Sequence, residues 1–199
     1  MQEGLIFMKK VLFINACPRF ESRTLKLARQ YFELLKNLQE IQVQEVKVCE
    51  LNLKPLHEQD LLRRNAEIES GNLSGDEYKY AKDFAAADLI VVAAPFWDAS
   101  YPAMLKIYIE NICVNTITFE YDEKGRPQKK CNAEKLIYIT TAGGFLPEIT
   151  SVQLHWQELC NMFAIREFHF YAADRLDIVP ADVEKILADT MKKIASREN

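Results

Sequence analysis

The stretch CPRFESRT, residues 17–24, brings a thiol, a guanidinium group and hydroxyls together directly after an apolar run. Cys17 and Arg23 are six residues apart and Thr24 follows, which is the C-x5-R-[ST] spacing of phosphatases that attack phosphate through a cysteine thiolate. The same loop opens a helical pattern, where hydroxyls and free backbone N–H groups can bind the phosphate of a cofactor. Two chemistries, a phosphatase and a cofactor anchor, therefore compete for this loop.

Three features weigh against a phosphatase. Pro18 removes a backbone N–H donor next to the cysteine, and Glu21 would repel a dianionic substrate. The chain also contains no Asp-Pro dipeptide, the usual position of the general acid in such enzymes. We therefore favour a cofactor anchor, in which Cys17 is a small buried residue and Ser22 or Thr24 also caps the following helix.

Two further loops carry residues suited to a flat aromatic ligand. PFWDASYP supplies Phe96 and Trp97 beside a helix start, and TTAGGF supplies Gly143 and Gly144. Glycines let a backbone approach a ring without an intervening side chain. Each feature also has a purely structural interpretation, the aromatics as core residues and the glycine pair as a turn. Their shared position after predicted strands favours a ligand site.

The elements that would position these loops alternate along the chain. Short apolar runs predict strands, and the segments that follow them have apolar residues at helical spacing. The predicted strands cover residues 9–15, 43–51, 88–95, 135–144 and 166–173, and the predicted helices cover 24–38, 78–87, 102–112, 149–163 and 180–196. Two polar interruptions, 65–78 and 118–130, are predicted to be loops, the second with a hairpin tip at Gly125 and Pro127.

This alternation predicts one α/β domain over residues 1–199. Its centre would be a doubly wound, five-stranded parallel sheet with helices on both faces and right-handed crossovers. Ligands of such open sheets bind beyond the carboxyl ends of the strands near the point where the strand order reverses. All three loops would lie at that edge.

Composition and charge exclude several classes of protein. The 199 residues carry a formal net charge of −4 with no concentrated basic face, so nothing points to nucleic acid or an anionic membrane. No apolar stretch approaches the roughly 20 residues needed to span a bilayer, and MQEGLIFMKK lacks the order of a signal peptide. Five cysteines without a C-x-x-C pair and three dispersed histidines predict reduced thiols, no metal site and a cytoplasmic protein.

Taken in order, four segments form a recognisable pattern: the first strand with PRFESRT and its helix, then PFWDASYPAMLKIYIENI, then TFEYDEKGRP, then TTAGG. This pattern resembles the FMN-dependent NADH-azoreductase and NAD(P)H quinone reductase family over about residues 9–178. Its most specific part is P-x-[WY]-x-x-x-x-P-x-x-L-K-x-Y-I-[DE], followed closely by T-F-x-Y. The resemblance implies a flavodoxin-like fold, FMN as the cofactor, and NADH or NADPH as the electron donor.

The resemblance also implies roles for individual residues. Three groups would contact the cofactor: Arg19, Ser22, Arg23 and Thr24 at the phosphate; Pro95, Phe96, Trp97 and Asp98 along the ring edge that carries N5 and O4; and Thr141, Ala142, Gly143 and Gly144 around the remainder of the ring. Phe119 would help to wall the substrate pocket near a second subunit. Members of this family are homodimers with the site at the interface, so the resemblance implies a homodimer.

The implied reaction is carried by the flavin, so no catalytic side chain is expected. NAD(P)H gives a hydride to the flavin and leaves, and a quinone, azo or nitroaromatic acceptor then takes two electrons in a ping-pong sequence. The chain departs from the family at Asp98 and Ala99, where Asn and Phe are common. An ionised carboxylate there donates no hydrogen bond and opposes electron gain by the flavin. A flavin-binding module without turnover therefore remains an alternative, as does the less favoured phosphatase using Cys17 and Arg23.

Overall fold

The computed structural model describes residues 8–198. This part of the chain contains five strands, β1 (Lys9–Asn15), β2 (Ile41–Lys47), β3 (Leu89–Ala93), β4 (Lys135–Thr141) and β5 (Glu167–Ala173). It also contains six α-helices, α1 (Arg23–Leu38), α2 (Glu58–Ser70), α3 (Lys79–Ala86), α4 (Ala103–Ile112), α5 (Ser151–Met162) and α6 (Val183–Glu198). Residues 1–7, part of the MQEGLIFMKK segment that lacks the order of a signal peptide, lie outside the described residues. No helix in the described part is long and apolar enough to cross a membrane.

The five strands form one parallel sheet in the order β2-β1-β3-β4-β5. The order reverses between β1 and β3, because β2 and β3 lie on opposite sides of β1, and this places the switch point there. One core packs α3, α4 and α5 against one face of the sheet, and a second core packs α1 and α6 against the other face. The structure confirms the predicted doubly wound, flavodoxin-like fold.

The ends of three strands differ from the prediction. β2 ends at Lys47, and residues 48–50, predicted as strand, form a short 3-10 helix. β2 lies at the sheet edge with only Val46 fully buried, so its apolar pattern is weak and defined its ends poorly. β3 and β4 are shorter than predicted because their last apolar residues already belong to the loops that follow, at residues 94–95 and 142–144.

Helix α2 is absent from the prediction, which treated residues 65–78 as a polar loop. None of its residues is fully buried, so no continuous apolar stripe marked it as a helix. Local groups set its ends instead. The backbone N–H of His57 donates to the Asp60 carboxylate at 3.1 Å, and Gly71 ends the helix with a left-handed φ of 70°.

Two further local predictions have different outcomes. The sequence pattern predicts that Pro180 opens the last helix, but α6 begins at Val183, because Asp182 caps it by accepting a hydrogen bond from Lys185 N at 3.0 Å. The hairpin tip near Gly125 is present. Tyr121 pairs with Pro127 in an antiparallel bridge, and Gly125 has a φ of 73°, a conformation that favours glycine.

Candidate functional site

An open cleft of about 510 Å³ lies at the carboxyl edge of the sheet, where the loops after β1, β3, β4 and β5 meet. Eleven of the twelve residues that the sequence assigned to a cofactor line this cleft: Arg19, Ser22, Arg23, Thr24, Pro95, Phe96, Trp97, Asp98, Thr141, Ala142 and Gly143. Pro18, Glu21, Leu176 and Asp177 complete the lining. The three stretches of chain chosen from sequence therefore converge on one cleft.

The amino terminus of α1 forms one end of the cleft. Ser22 caps the helix, and its hydroxyl accepts a hydrogen bond from Leu25 N at 3.3 Å. The N–H groups of Arg23 and Thr24 begin the helix, so they have no intrahelical acceptor. The helix dipole adds positive potential at the same point. This end of the cleft can bind an anion.

Thr24 also joins the first loop to the end of β4. Its buried hydroxyl lies 2.6 Å from the hydroxyl of Thr141, the last residue of β4. One hydroxyl donates and the other accepts, so each of the two buried groups has a hydrogen-bond partner. This hydrogen bond fixes the distance between the anion-binding end of the cleft and the loop that carries the glycines.

The loop after β3 makes a tight turn at the cleft. Trp97 and Ser100 exchange two backbone hydrogen bonds, at 3.0 and 2.7 Å, and the residues between them, Asp98 and Ala99, have left-handed φ angles of 50° and 58°. A left-handed alanine is strained, because its Cβ crowds the backbone. Ser151 of α5 supports the turn by donating to Ala99 O at 2.5 Å. Strain maintained in this way is typical of binding sites.

The loop after β4 presents bare backbone to the cleft. Its carbonyl groups are occupied by the loop after β5: Arg175 N donates to Gly144 O at 2.8 Å, and Asp177 N donates to Gly143 O at 3.0 Å. Within residues 8–198, the N–H groups of Gly143 and Gly144 have no hydrogen-bond acceptor. They are therefore free to donate to acceptor atoms of a ligand. Gly144 itself does not line the cleft.

Sequence reasoning missed the loop after β5, which supplies Leu176 and Asp177. Asp177 forms an ion pair with Arg23 at 2.7 Å, and Arg23 also donates to Leu176 O at 3.4 Å. The Asp177 carboxylate covers Gly143, since a Cβ atom built on Gly143 would lie 2.2 Å from Asp177 Oδ2. The sequence did contain a signal for this loop, because β5 is predicted as a strand and the loop after it must lie at the same edge of the parallel sheet as the other three loops.

Phe119 is not part of the cleft lining. Its ring packs against Tyr121, with ring centroids 5.9 Å apart, and it is partly buried against the core that includes α4.

The charged side chains in the cleft are of mixed sign, with two arginines and three carboxylates. Arg19 lies over the Trp97 ring, 5.6 Å from its centroid. Within the described residues, no group of three or more His, Cys, Asp or Glu side chains is placed to hold a metal ion.

The position of Cys17 disfavours a thiolate phosphatase. The side chain is not part of the cleft lining, and its Sγ donates to Ala93 O at 3.6 Å. Burial raises the pKa of this thiol to about 11. A phosphatase nucleophile requires the opposite shift, because the thiolate is the attacking species. Cys17 is therefore a protonated packing residue beside the cleft.

The fold and the site together define a flavodoxin-like α/β protein with a ligand cleft at the switch point of its sheet. Residues 9–197 match the family described as having a flavodoxin-like fold. Over 195 residues the chain is 33% identical to FMN-dependent NADH:quinone oxidoreductase 2 of Clostridium acetobutylicum, covering 94% of this chain and 96% of that protein. It is 31% identical to the FMN-dependent NADH:quinone oxidoreductase of Coprothermobacter proteolyticus over 193 residues, with the same coverage of each chain, 94% and 96%.

The chain therefore belongs to the flavodoxin-like family that includes these FMN-dependent NADH:quinone oxidoreductases. Among solved structures, the azoreductase from Bacillus anthracis str. Sterne superimposes with a TM-score of 0.77 at 20% identity, covering 95% of this chain and 98% of that one. That likeness concerns the fold. The resemblance drawn from the sequence segments is confirmed at the level of the family.

Proposed function

We propose that the protein is an FMN-dependent NAD(P)H oxidoreductase that passes two electrons to quinone, azo or nitroaromatic acceptors by a ping-pong mechanism. One observation carries this proposal: the loops after β1, β3 and β4 meet in one cleft that combines an anion-binding helix end, aromatic side chains and bare glycine backbone. The named relatives from Clostridium acetobutylicum and Coprothermobacter proteolyticus, described as FMN-dependent NADH:quinone oxidoreductases, support it.

The residues present fit FMN. The free N–H groups of Arg23 and Thr24, with the Ser22 hydroxyl, match the needs of a phosphate group. Gly143 has no side chain of its own, so a ring can approach its backbone once the Asp177 carboxylate that lies over it is displaced. The cleft of about 510 Å³ lies within the range of small-molecule sites, about 300–1,000 Å³.

The protein would bind and orient the cofactor while the cofactor performs the redox chemistry. When bound, FMN supplies hydride acceptance and two-electron transfer at its ring. Arg19, Ser22, Arg23 and Thr24 would hold the phosphate, and residues 95–98 and 141–144 would hold the ring. The N–H groups of Gly143 and Gly144 would donate to negative charge that develops on the ligand, and these oriented donors need no reorganisation during the reaction. The nicotinamide and the acceptor would occupy the open side of the cleft in turn.

The charge of Asp98 bears on whether the protein is an enzyme or a module that only binds flavin. It lines the cleft in the strained turn after β3, so its negative charge faces the proposed ring site. A negative charge beside the ring makes electron gain less favourable. The proposed enzyme must therefore transfer electrons in spite of this charge. A protein that binds flavin but does not reduce an acceptor would favour the module.

We also propose that the active form is a cytoplasmic homodimer, with Phe119 near the partner subunit. Large apolar side chains are exposed near the cleft, with Phe20 at 90% and Phe145 at 74% relative exposure. Burial of these side chains against a second copy of the chain would remove their apolar surface from water. All five cysteines lie within the described residues and are free, which supports a reducing compartment.

Absorption spectroscopy tests the proposal. The purified protein, as isolated or after addition of FMN, should retain the visible absorption of oxidised flavin after gel filtration, and NADH or NADPH should bleach it anaerobically. A quinone or azo dye should then restore the absorption. Protein that retains no FMN would contradict the proposal, and bleaching without acceptor turnover would indicate the binding module. Hydrolysis of an aryl phosphate that is lost in Cys17→Ser would instead indicate the phosphatase.

A further inference from the structure

We propose that the Asp177 carboxylate competes with the phosphate of the ligand for Arg23 and thereby sets the affinity of the cleft for its cofactor. This inference rests on the proposed function, because it concerns the same cleft. The observation behind it is the contact between a residue of the phosphate loop and a carboxylate from the loop after β5.

The Arg23–Asp177 pair joins two sides of the cleft. Arg23 Nη1 lies 2.7 Å from Asp177 Oδ1, and both residues line the cleft. The same Nη1 atom donates to Leu176 O at 3.4 Å, so its donor capacity is directed toward the loop after β5. While both contacts persist, Nη1 is not free for an anion at the start of α1, which could accept only from Nε and Nη2 of Arg23.

Asp177 is held in place from the backbone. Its N–H donates to Gly143 O at 3.0 Å, and its carboxylate lies over Gly143. The carboxylate therefore occupies space between the helix start and the glycine loop, which a ligand that contacts both would have to enter. Because the first turn of α1 contains no acidic residue of its own, Asp177 supplies a negative charge to the first residue of that helix from another part of the chain. Glu21, in the preceding loop, is a second carboxylate lining the cleft.

Charge and exposure set the size of the effect. A phosphate monoester carries close to two negative charges at neutral pH, so a carboxylate at Arg23 both repels it and occupies its partner. The pair is solvent-exposed, with side-chain exposures of 44% for Arg23 and 68% for Asp177, so water screens the repulsion. Removing the Asp177 charge should therefore tighten FMN binding by about threefold to tenfold.

The test compares wild-type protein with Asp177→Asn, which keeps the size and shape of the side chain. Glu184→Gln is the matched control: Glu184 pairs with Lys26 of α1 at 2.7 Å, the two side chains have similar exposures of 76% and 47%, and neither residue lines the cleft. Dissociation constants for FMN and for riboflavin, which has no phosphate, are measured by flavin fluorescence quenching. Asp177→Asn should bind FMN about threefold to tenfold more tightly and riboflavin unchanged, and Glu184→Gln should match the wild type.

A second measurement does not depend on flavin binding. Inorganic phosphate should raise the thermal unfolding midpoint of the Asp177→Asn apoprotein more than that of the wild-type apoprotein. Unchanged or weaker FMN binding by Asp177→Asn, or an equal gain for riboflavin, would overturn the inference. If wild-type protein binds no flavin, the proposed function fails. The phosphate comparison then decides the competition at Arg23 independently, and equal midpoint shifts would refute it.

Discussion

Two regions of the molecule differ in how fully their polar groups are hydrogen-bonded within the protein. One is the cleft, and the other is the place where α6 ends against β4 and β5. In the second region, the Glu198 carboxylate, whose side chain is only 5% exposed, accepts hydrogen bonds from His169 Nδ1 at 2.7 Å and Tyr171 OH at 2.8 Å. Tyr31 OH and Lys135 Nζ each approach it at 3.3 Å. We refer to these five residues as the Glu198 cluster.

The cleft shows the opposite arrangement. Backbone N–H groups at the start of α1 and in the glycine loop have no acceptor within the described residues, and Asp98 and Ala99 hold left-handed conformations. The Glu198 cluster satisfies its polar groups internally, as a structural network should. The cleft leaves its donors for a ligand. The comparison indicates that substitutions in the cluster reduce stability, whereas substitutions in the cleft change ligand affinity.

Removing the carboxylate at the centre of the cluster should have the largest effect. Glu198→Ala leaves the His169, Tyr171 and Tyr31 donors, which are largely shielded from solvent, without their shared acceptor, so the free energy of unfolding should fall by about 2 to 3 kcal/mol. FMN affinity should stay the same. Chemical denaturation and flavin titration measure the two quantities. Glu184→Ala, which removes an exposed carboxylate from the same helix, is the control and should cost less than about 1 kcal/mol.

Removing the arginine at the start of α1 should have the reverse effect. Arg23→Met should weaken FMN binding by about thirtyfold, because it removes a charged donor from the phosphate site. The free energy of unfolding should change by less than about 1 kcal/mol, since the pair with Asp177 is exposed. Lys26→Met, the next cation on α1 with an ion pair of equal length, should change FMN binding little. Equal losses of affinity in the two variants would argue against a phosphate site at Arg23.

The hydroxyl pair between Thr24 and Thr141 should affect both properties. Thr24→Val leaves the Thr141 hydroxyl without a partner, so we expect a loss of about 1 to 2 kcal/mol in the free energy of unfolding and weaker FMN binding. Thr190→Val is a suitable control, because within residues 8–198 the Thr190 hydroxyl bonds to a carbonyl of its own helix, at 2.9 Å, and to no other element. A stability loss without any change in FMN affinity would show that this hydroxyl pair does not influence flavin binding.

Lowering the pH should reduce the stability that the Glu198 cluster contributes, by less than the substitutions above do. Burial alone would raise the pKa of Glu198, but hydrogen bonds from His169 and Tyr171 and the charge of Lys135 outweigh it and hold the pKa below its ordinary value. The unfolded chain then binds the proton first as pH falls below about 4.3, so stability present at neutral pH is lost in that range. Thermal unfolding midpoints measured between neutral pH and acid should fall less steeply in Glu198→Gln than in the wild type. Parallel profiles would show that Glu198 contributes nothing to the acid response.

The fold was predictable wherever burial leaves a strong apolar pattern. β1, β3 and β4 lie in the middle of the sheet and read as continuous apolar runs, so their ends pointed to three of the four loops that form the cleft. α2 buries no residue completely and is stabilised by its caps, which explains why periodicity did not reveal it.

The candidate site was predictable as a set of loops but not as a set of contacts. Asp177 reaches the cleft because backbone hydrogen bonds hold its loop against Gly143 and Gly144, and no local sequence pattern encodes that pairing. The pocket role of Phe119 near a second subunit stays a prediction, and in the single chain this residue packs against Tyr121 and the core. The position of such residues depends on tertiary or subunit contacts beyond the reach of local spacing.

A crystal structure of the protein with FMN tests the central claim most directly. The phosphate should lie within hydrogen-bonding distance of the N–H groups of Arg23 and Thr24, with the ring between the turn at Asp98 and the glycines at residues 143–144. FMN found elsewhere on the protein, or a cleft that stays empty of FMN at saturating concentration, would contradict the claim that these loops form a flavin site.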